Sequence, residues 1–281
     1  MKNLITRSIT GLLFVGIIIG ATWYSQESFR GLILIATILC LSEFYRLTMP
    51  DARQWTRLAD ILGGTYLVGI MFLFAYPAPI STAATLISLS PYIIYLLYTF
   101  IVRLYLRESD PITSWAKSLL GQIYIALPMA LLSFIAYTPT GNPDIPYNAL
   151  MVISFFTFIW INDTGAYCVG CTIGRHRLFE RISPKKSWEG FWGGFVFALA
   201  LGWVWSQFLP VLNLWQWLGL AATISVFSTL GDLCESLLKR TLQVKDSGAM
   251  LPGHGGMLDR LDSVMIASPA AVIYLTIVMN I

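Results

Sequence analysis

Charged residues are scarce in this 281-residue chain, since Asp, Glu, Lys and Arg together make up only 12% of it. Soluble domains carry roughly 25% charged residues, whereas 56% of the residues here are hydrophobic and the mean hydropathy is +0.68. This composition excludes a disordered chain, a collagen-like chain and an ordinary soluble domain. It predicts an all-α polytopic membrane protein, because only helices satisfy their own backbone groups within lipid over continuous hydrophobic runs.

Cysteine and net charge are also low. The chain has four cysteines, too few to indicate a disulfide scaffold. Cys168 and Cys171 have the spacing of a redox or metal pair, but no second pair accompanies them, so small apolar side chains in a helix are the favoured interpretation. The net charge of +3 is too weak to indicate a nucleic-acid partner.

Nine hydrophobic runs approach the ~20 residues that a membrane-spanning helix needs. The first run follows Lys2 and Arg7, as in a signal peptide, but no small-x-small cleavage site follows it, so we expect a retained helix. We predict about nine transmembrane helices in a single integral-membrane domain covering residues 1–281. The predicted spans lie near 9–24, 31–49, 58–76, 83–102, 118–137, 148–170, 190–209, 214–238 and 261–280.

The basic residues predict the orientation of these helices. If all nine runs cross the membrane, seventeen of the eighteen Lys and Arg residues fall on the side of the N-terminus, and only Arg30 falls on the other. Cytoplasmic loops carry an excess of Lys and Arg. We therefore expect a cytoplasmic N-terminus and a periplasmic C-terminus.

A polar stripe interrupts the eighth run. Its residues are spaced i, i+3, i+4 and i+7, which places them on one helical face; they are Asp232, Glu235, Ser236 and Lys239. Charged groups at membrane depth are costly and usually face a wet, protein-lined cavity. The alternative is a structural salt-bridge network. Glu43 and Asp60, near the ends of earlier helices, are explained at least as well by interface snorkelling or structural pairing.

The segment that follows the stripe combines glycines, cations and carboxylates. Gly255 and Gly256 allow a phosphate to approach the backbone closely. Positive charge lies nearby on Lys239, Arg240, Lys245 and Arg260. Asp259 and Asp262 stand one turn apart at the start of the last helix, and together with Asp232 they would suit Mg²⁺ bound to phosphate.

A third polar segment lies earlier in the chain. Asp163 and Tyr167 are i, i+4 neighbours near the cytoplasmic end of the sixth run, and a dense basic loop follows them. Topology and attraction to anionic lipid account for the basic residues alone. Ser183, Pro184 and Glu189 lie among these basic residues, and their presence indicates that the loop folds into a defined structure.

The stretch from Ser236 to Asp262, S-x-x-K-R-x4-K-D-x-G-x-x-L-P-x-H-G-G-M-x-D-R-L-D, resembles the signature of the phosphatidate cytidylyltransferases, also called CDP-diacylglycerol synthases. We find no departure from that signature. Asp163…Tyr167…Gly170 and the segment from Ser183 to Gly190 also resemble this family. The resemblance covers roughly residues 155–265, the expected catalytic part, whereas the five N-terminal helices resemble the family only in being hydrophobic.

The resemblance implies a bacterial inner-membrane enzyme, usually a homodimer, that needs Mg²⁺. It would condense CTP with phosphatidic acid, giving CDP-diacylglycerol and pyrophosphate. The carboxylates of Asp232 and Asp259 would be the Mg²⁺ ligands. Asp262 would lie beside a second site for a monovalent cation such as K⁺.

Roles for the remaining residues follow from this interpretation. We expect catalytic roles for Asp232, Lys239 and Asp259, and metal binding by Asp232, Asp259 and Asp262. The triphosphate is assigned to Lys239, Arg240 and Lys245, above a loop of His254, Gly255 and Gly256. The phosphatidate headgroup is assigned to Ser183, Lys185 and Lys186. Further predicted substrate contacts are Asp163, Tyr167, Ser236, Asp246 and Arg260.

Two other functions share some of these features. A transporter for an anionic solute would also carry intramembrane charges, but paired inverted halves would be expected, and here the polar groups concentrate in the C-terminal half. A CTP-using enzyme acting on another membrane substrate, such as an isoprenoid alcohol kinase or an archaeal-type ether-lipid cytidylyltransferase, is the second alternative.

Overall fold

The computed structural model describes residues 2–142, 144–248 and 255–279, with side chains from Ile9 onward. Over these residues the chain forms nine helices and one two-stranded hairpin. The helices are α1 (Lys2–Tyr24), α2 (Gln26–Thr48), α3 (Gln54–Ala75), α4 (Thr82–Leu106), α5 (Pro111–Ala136), α6 (Ala149–Ile173), α7 (Trp188–Phe208), α8 (Leu214–Thr241) and α9 (Leu258–Met279). The strands are β1 (Arg177–Phe179) and β2 (Ser183–Ser187).

Eight of these helices, α2 to α9, are long and apolar enough to cross a membrane. Helix α1 has a shorter apolar segment, Ile9–Tyr24. The predicted all-α, polytopic class is therefore confirmed, and the chain is a multi-pass membrane protein. The orientation of its ends stays a prediction.

Local capping signals divide the hydrophobic runs into helices. Ser25 and Ser28 form a reciprocal capping box at the start of α2, and Asn213 and Gln216 form another at the start of α8. The Asp110 side chain accepts a hydrogen bond from the Thr113 amide at the start of α5 (3.1 Å). Such caps satisfy backbone donors that have no partner inside the helix.

The chain divides into two compact units. Unit 1 comprises Met1–Tyr137 and Asp246–Arg260, and unit 2 comprises Thr138–Lys245 and Leu261–Ile281. Unit 1 thus contains α1 to α5 together with much of the segment that carries the signature. The prediction of a single integral-membrane domain stays a prediction.

Unit 1 has a buried polar network among its helices. The Asp60 carboxylate accepts hydrogen bonds from the Tyr95 hydroxyl (2.9 Å) and the Ser118 hydroxyl (2.8 Å). Gln122, at the start of a π-helical turn within α5, donates to the Tyr45 hydroxyl and to the Asp60 carbonyl. Because burying a carboxylate is costly without hydrogen bonds, this network explains Asp60 as a structural residue.

Unit 2 packs α6 against α7 through glycines. A Cβ at Gly190 would lie 2.8 Å from the Ala166 carbonyl oxygen, and one at Gly165 would lie 2.8 Å from the Phe197 ring. Small residues allow membrane helices to approach this closely. The basic loop between the two helices forms the antiparallel β1–β2 hairpin, which agrees with the expected formed structure, although no strand was predicted there.

Candidate active site

A cavity of about 430 Å³ lies within unit 2. Its walls come from α6, the hairpin, α7 and α8. The lining residues are Asn162, Asp163, Ala166, Tyr167, Gly170, Cys171, Leu178, Lys185, Lys186, Ser187, Gly190, Phe191, Thr229 and Asp232. Five of the predicted site residues are therefore brought together: Asp163, Tyr167, Lys185, Lys186 and Asp232.

An ion pair joins the hairpin to α8 in this cavity. The Lys186 Nζ lies 2.5 Å from the Asp232 Oδ2, and the two side chains are 28% and 32% exposed. The Ser236 hydroxyl, one helical turn further along α8, donates to the Asp232 Oδ1 at 3.2 Å. Both oxygens of Asp232 are thus oriented, and a cation from the hairpin already lies beside them.

Two further carboxylates surround this pair. Asp163 on α6 and Asp262 on α9 each interact electrostatically with Asp232 and with Lys186. The backbone of α9 approaches α8 closely, because a Cβ at Gly231 would lie only 2.7 Å from the Asp262 carbonyl oxygen. Three carboxylates and one ammonium therefore share this part of unit 2.

Asn162 fixes the position of α6 against α8. Its Oδ1 accepts a hydrogen bond from the Ser225 hydroxyl (2.5 Å), and its Nδ2 donates to the Ser228 and Thr229 hydroxyl oxygens at 3.4 and 3.3 Å. The side chain is only 1% exposed. Because Asp163 is its neighbour in the chain, this clamp also orients Asp163. Sequence patterns do not assign Asn162 a role. The features that could have identified it are its amide side chain in α6 and the Ser and Thr residues of α8.

The predicted polar face of α8 has two parts. Asp232 opens onto the cavity, whereas Glu235 is fully buried and its Oε2 lies 2.5 Å from the Lys239 Nζ. The cavity interpretation therefore fits Asp232, and the salt-bridge interpretation fits Glu235 and Lys239. Arg240, further along, donates from Nε to the Ile182 carbonyl oxygen at 3.5 Å.

In unit 1, Asp259 organises the described part of the glycine-rich segment. Its Oδ2 accepts hydrogen bonds from the backbone amides of Ser247 (2.9 Å) and Gly256 (2.7 Å). Gly255 has a φ of +80°, and a Cβ there would lie 2.5 Å from the same Asp259 oxygen. These glycines therefore pack against a protein carboxylate, and their contact with a phosphate stays a prediction.

Glu43 contacts the same segment from α2. Its carboxylate accepts hydrogen bonds from the Ser247 hydroxyl (2.9 Å) and from the amides of Met257 (2.9 Å) and Leu258 (3.0 Å). Sequence patterns explain Glu43 by snorkelling or structural pairing and do not identify these contacts. No local pattern could have found them, because more than 200 residues separate the partners.

The other predicted site residues lie outside the cavity lining. Ser183 begins β2 and is paired with Phe179. Lys245 and Asp246 are exposed, as is Arg260. His254 lies outside the described residues. The roles assigned to all of these residues stay predictions.

Comparison with known proteins places the sequence of this chain in a family. The family model described as "Cytidylyltransferase family" matches residues 5–278. Proteins named phosphatidate cytidylyltransferase from Staphylococcus epidermidis, Staphylococcus haemolyticus and Staphylococcus aureus are 40%, 42% and 41% identical over 139 residues, which is 49% of this chain and 52% of each relative. The chain spans about half the length of the curated relatives it matches.

The family model extends further than the resemblance that the sequence analysis identified. That resemblance covers roughly residues 155–265, whereas the match to the family model, over residues 5–278, also includes the helices of unit 1. It spans nearly all of the printed sequence, and the chain therefore belongs to the cytidylyltransferase family.

Proposed function

We propose that this protein is a phosphatidate cytidylyltransferase. It transfers the cytidylyl group of CTP to phosphatidic acid, giving CDP-diacylglycerol and pyrophosphate. It acts as a homodimer at the cytoplasmic face of a bacterial inner membrane and depends on Mg²⁺. The observation that carries the proposal is the cavity between membrane helices, where Lys186 and Asp232 meet beside further charges, in a chain of the cytidylyltransferase family.

The chemistry requires mainly positioning and charge neutralisation. A phosphate oxygen of phosphatidic acid attacks the α-phosphorus of CTP, a new P–O bond forms, and the bond to the pyrophosphate leaving group breaks. The nucleophile is largely ionised at neutral pH, so no strong base is needed. The obstacle is the approach of two anions, and the ammonium groups of Lys185 and Lys186 supply compensating charge at the cavity.

The donor set of unit 2 fits Mg²⁺. Asp232 and Asp262, with Asp163 beside them, offer the hard carboxylate oxygens that this ion prefers. Among the residues that the structure describes, no three His, Cys, Asp or Glu side chains are grouped so as to hold a metal alone. Mg²⁺ usually binds through one or two carboxylates plus substrate phosphates, so this arrangement suits an ion that arrives with CTP.

When bound, Mg²⁺ would neutralise phosphate charge and stabilise the leaving pyrophosphate. Asp259 as a further ligand is proposed from the pattern of charged residues in the sequence and from the family resemblance, whereas a K⁺ ion beside Asp262 is proposed on the resemblance alone. The protein's own groups orient these carboxylates: the Ser236 hydroxyl bonds to Asp232, and the Ser263 amide donates to Asp262 at 2.6 Å.

Purified protein in mixed micelles should convert labelled CTP and phosphatidic acid into CDP-diacylglycerol, identified by mass, with one pyrophosphate released per product. Chelation with EDTA should abolish turnover, and added Mg²⁺ should restore it, because the phosphate charges would otherwise remain uncompensated. A panel containing an isoprenoid alcohol and an ether-linked phosphatidic acid tests the alternative substrates. Solute transport without substrate-dependent pyrophosphate release would contradict the proposal.

The proposed cytoplasmic site also predicts a topology. Alkaline phosphatase fused after residue 281, or inserted near residue 140, should be active, since that enzyme folds only outside the cytoplasm. The same reporter inserted near Arg177 should be inactive, because the basic hairpin is expected to stay inside. A cytoplasmic C-terminus would mean that the prediction of nine spans is wrong.

A further inference from the structure

Glu43 is a membrane-helix carboxylate that is almost completely buried, with 6% of its surface exposed. A carboxylate can only accept hydrogen bonds. Among the described residues, three donors bind this one, and all of them lie in the signature segment, 204 to 215 residues away in sequence. Hydrogen bonds to a charged acceptor are about twice as strong as neutral ones. These hydrogen bonds therefore hold α2 strongly to Ser247, Met257 and Leu258.

Two glycines of the signature segment pack closely against this carboxylate. A Cβ at Gly248 would lie 2.7 Å from the Glu43 Oε1, and one at Gly256 would collide with both the Glu43 Oε2 and the Ser247 Oγ. Neither position leaves room for a larger residue while Glu43 stays in place. Close packing against Glu43 thus explains why glycine stands at both positions, and this explanation involves no ligand.

The hydrogen bonds of Glu43 also fix the position of Asp259. The amides of Met257 and Leu258 stand at the start of α9, where backbone donors have no partner within the helix. Glu43 accepts from both, and Asp259 is the next residue. Ser247 is shared as well, because its hydroxyl binds Glu43 and its amide binds Asp259.

We propose that Glu43 is a positioning residue for nucleotidyl transfer, which fixes the backbone at Ser247 and at residues 257–259 and thereby the direction of the Asp259 carboxylate. This inference rests on the proposed function. It assigns the N-terminal helices a role in the reaction, since α2 supplies the carboxylate that accepts these hydrogen bonds. Glu43 touches no reacting group and acts only through the signature segment.

The test compares Glu43→Gln with Asp60→Asn in the full-length protein. Asp60 is the matched control, because it is equally buried in unit 1 and its side chain is hydrogen-bonded to Tyr95 and Ser118, far in sequence from the signature. Amide hydrogen exchange is followed on peptides containing residues 255–259. Initial rates are measured with CTP and phosphatidic acid varied separately.

In Glu43→Gln a side-chain NH2 group replaces one carboxylate oxygen. This group is a hydrogen-bond donor and cannot accept from the donors that the oxygen binds. We expect exchange at residues 257 and 258 to rise, and kcat to fall, each by about tenfold to a hundredfold, with the phosphatidate KM changed by less than about twofold. Glu43→Asp keeps the charge and should recover part of both losses. Asp60→Asn should leave exchange in residues 255–259 unchanged.

Wild-type exchange in Glu43→Gln would overturn the inference, as would faster exchange with an unchanged kcat. Equal loosening of residues 255–259 by Asp60→Asn would also overturn it, because the effect would then be general destabilisation. Failure of the wild-type protein to make CDP-diacylglycerol is a separate result that counts against the proposed function, and the exchange comparison would still decide whether Glu43 holds the segment.

Discussion

Asp232→Asn is expected to lower kcat/KM for CTP by about a hundredfold to a thousandfold, the usual cost of removing one preorganised electrostatic group from an active site. Asparagine keeps the shape of the side chain and its contact with Ser236. It removes the negative charge that faces Lys186 and that we propose to bind Mg²⁺. Initial rates at several Mg²⁺ concentrations measure the effect, and extra Mg²⁺ should restore little activity.

Asp144→Asn is the matched control for this variant. It makes the same chemical change on an exposed residue of the connection between α5 and α6, outside the cavity lining, and should leave the rate unaltered. Equal protein recovery from membranes shows that both variants insert. Near wild-type turnover by Asp232→Asn would remove this residue from the catalytic site.

Lys186→Met and Lys185→Met should have different kinetic effects, although the two residues are adjacent on β2. Lys186 pairs with Asp232, which we propose to bind Mg²⁺ in the active site. Loss of the Lys186 ammonium therefore disturbs Asp232, and kcat should fall by about tenfold to a hundredfold. Lys185 lines the cavity and is exposed, so its loss should chiefly raise the KM for phosphatidic acid. Methionine retains most of the length of the side chain while removing the charge.

The measurement varies CTP and lipid independently in mixed micelles. If Lys185→Met lowers kcat while Lys186→Met changes only a KM, the roles assigned to the two lysines are reversed. If both variants raise the KM for CTP alone, the hairpin binds the nucleotide, and the assignment of this loop to phosphatidate is wrong.

The helices were predictable because each hydrophobic run is long enough to form one and has a polar or proline-containing boundary. Ser25 separates α1 from α2, and Asp110 with Pro111 begins α5. The hairpin was harder to predict, since β1 has three residues and β2 has five, too few for a clear alternating pattern. Ser183, Pro184 and Glu189 indicate a formed structure in this loop, but no local pattern specifies that the structure is a pair of strands.

Spacing along one helix placed the polar residues of α8 on one face but did not identify their partners. Lys239 lies on the same face of α8 as Asp232, and the contact with the triphosphate that this face predicts for it stays a prediction. In the structure Lys239 pairs with Glu235, one turn away, and Asp232 receives Lys186 from the hairpin. Helical periodicity states which side chains share a face, but it contains no information about which other element supplies a partner.

The distance in sequence between Glu43 and its partners has a consequence for biosynthesis. Ser247 follows Glu43 by 204 residues, so at typical synthesis rates it emerges about ten to forty seconds later. Throughout that interval α2 carries a carboxylate whose final hydrogen-bond donors have not yet been made. A nascent chain stalled before residue 247 would therefore hold an incomplete unit 1, with its first five helices synthesised and the hydrogen bonds to Glu43 still missing.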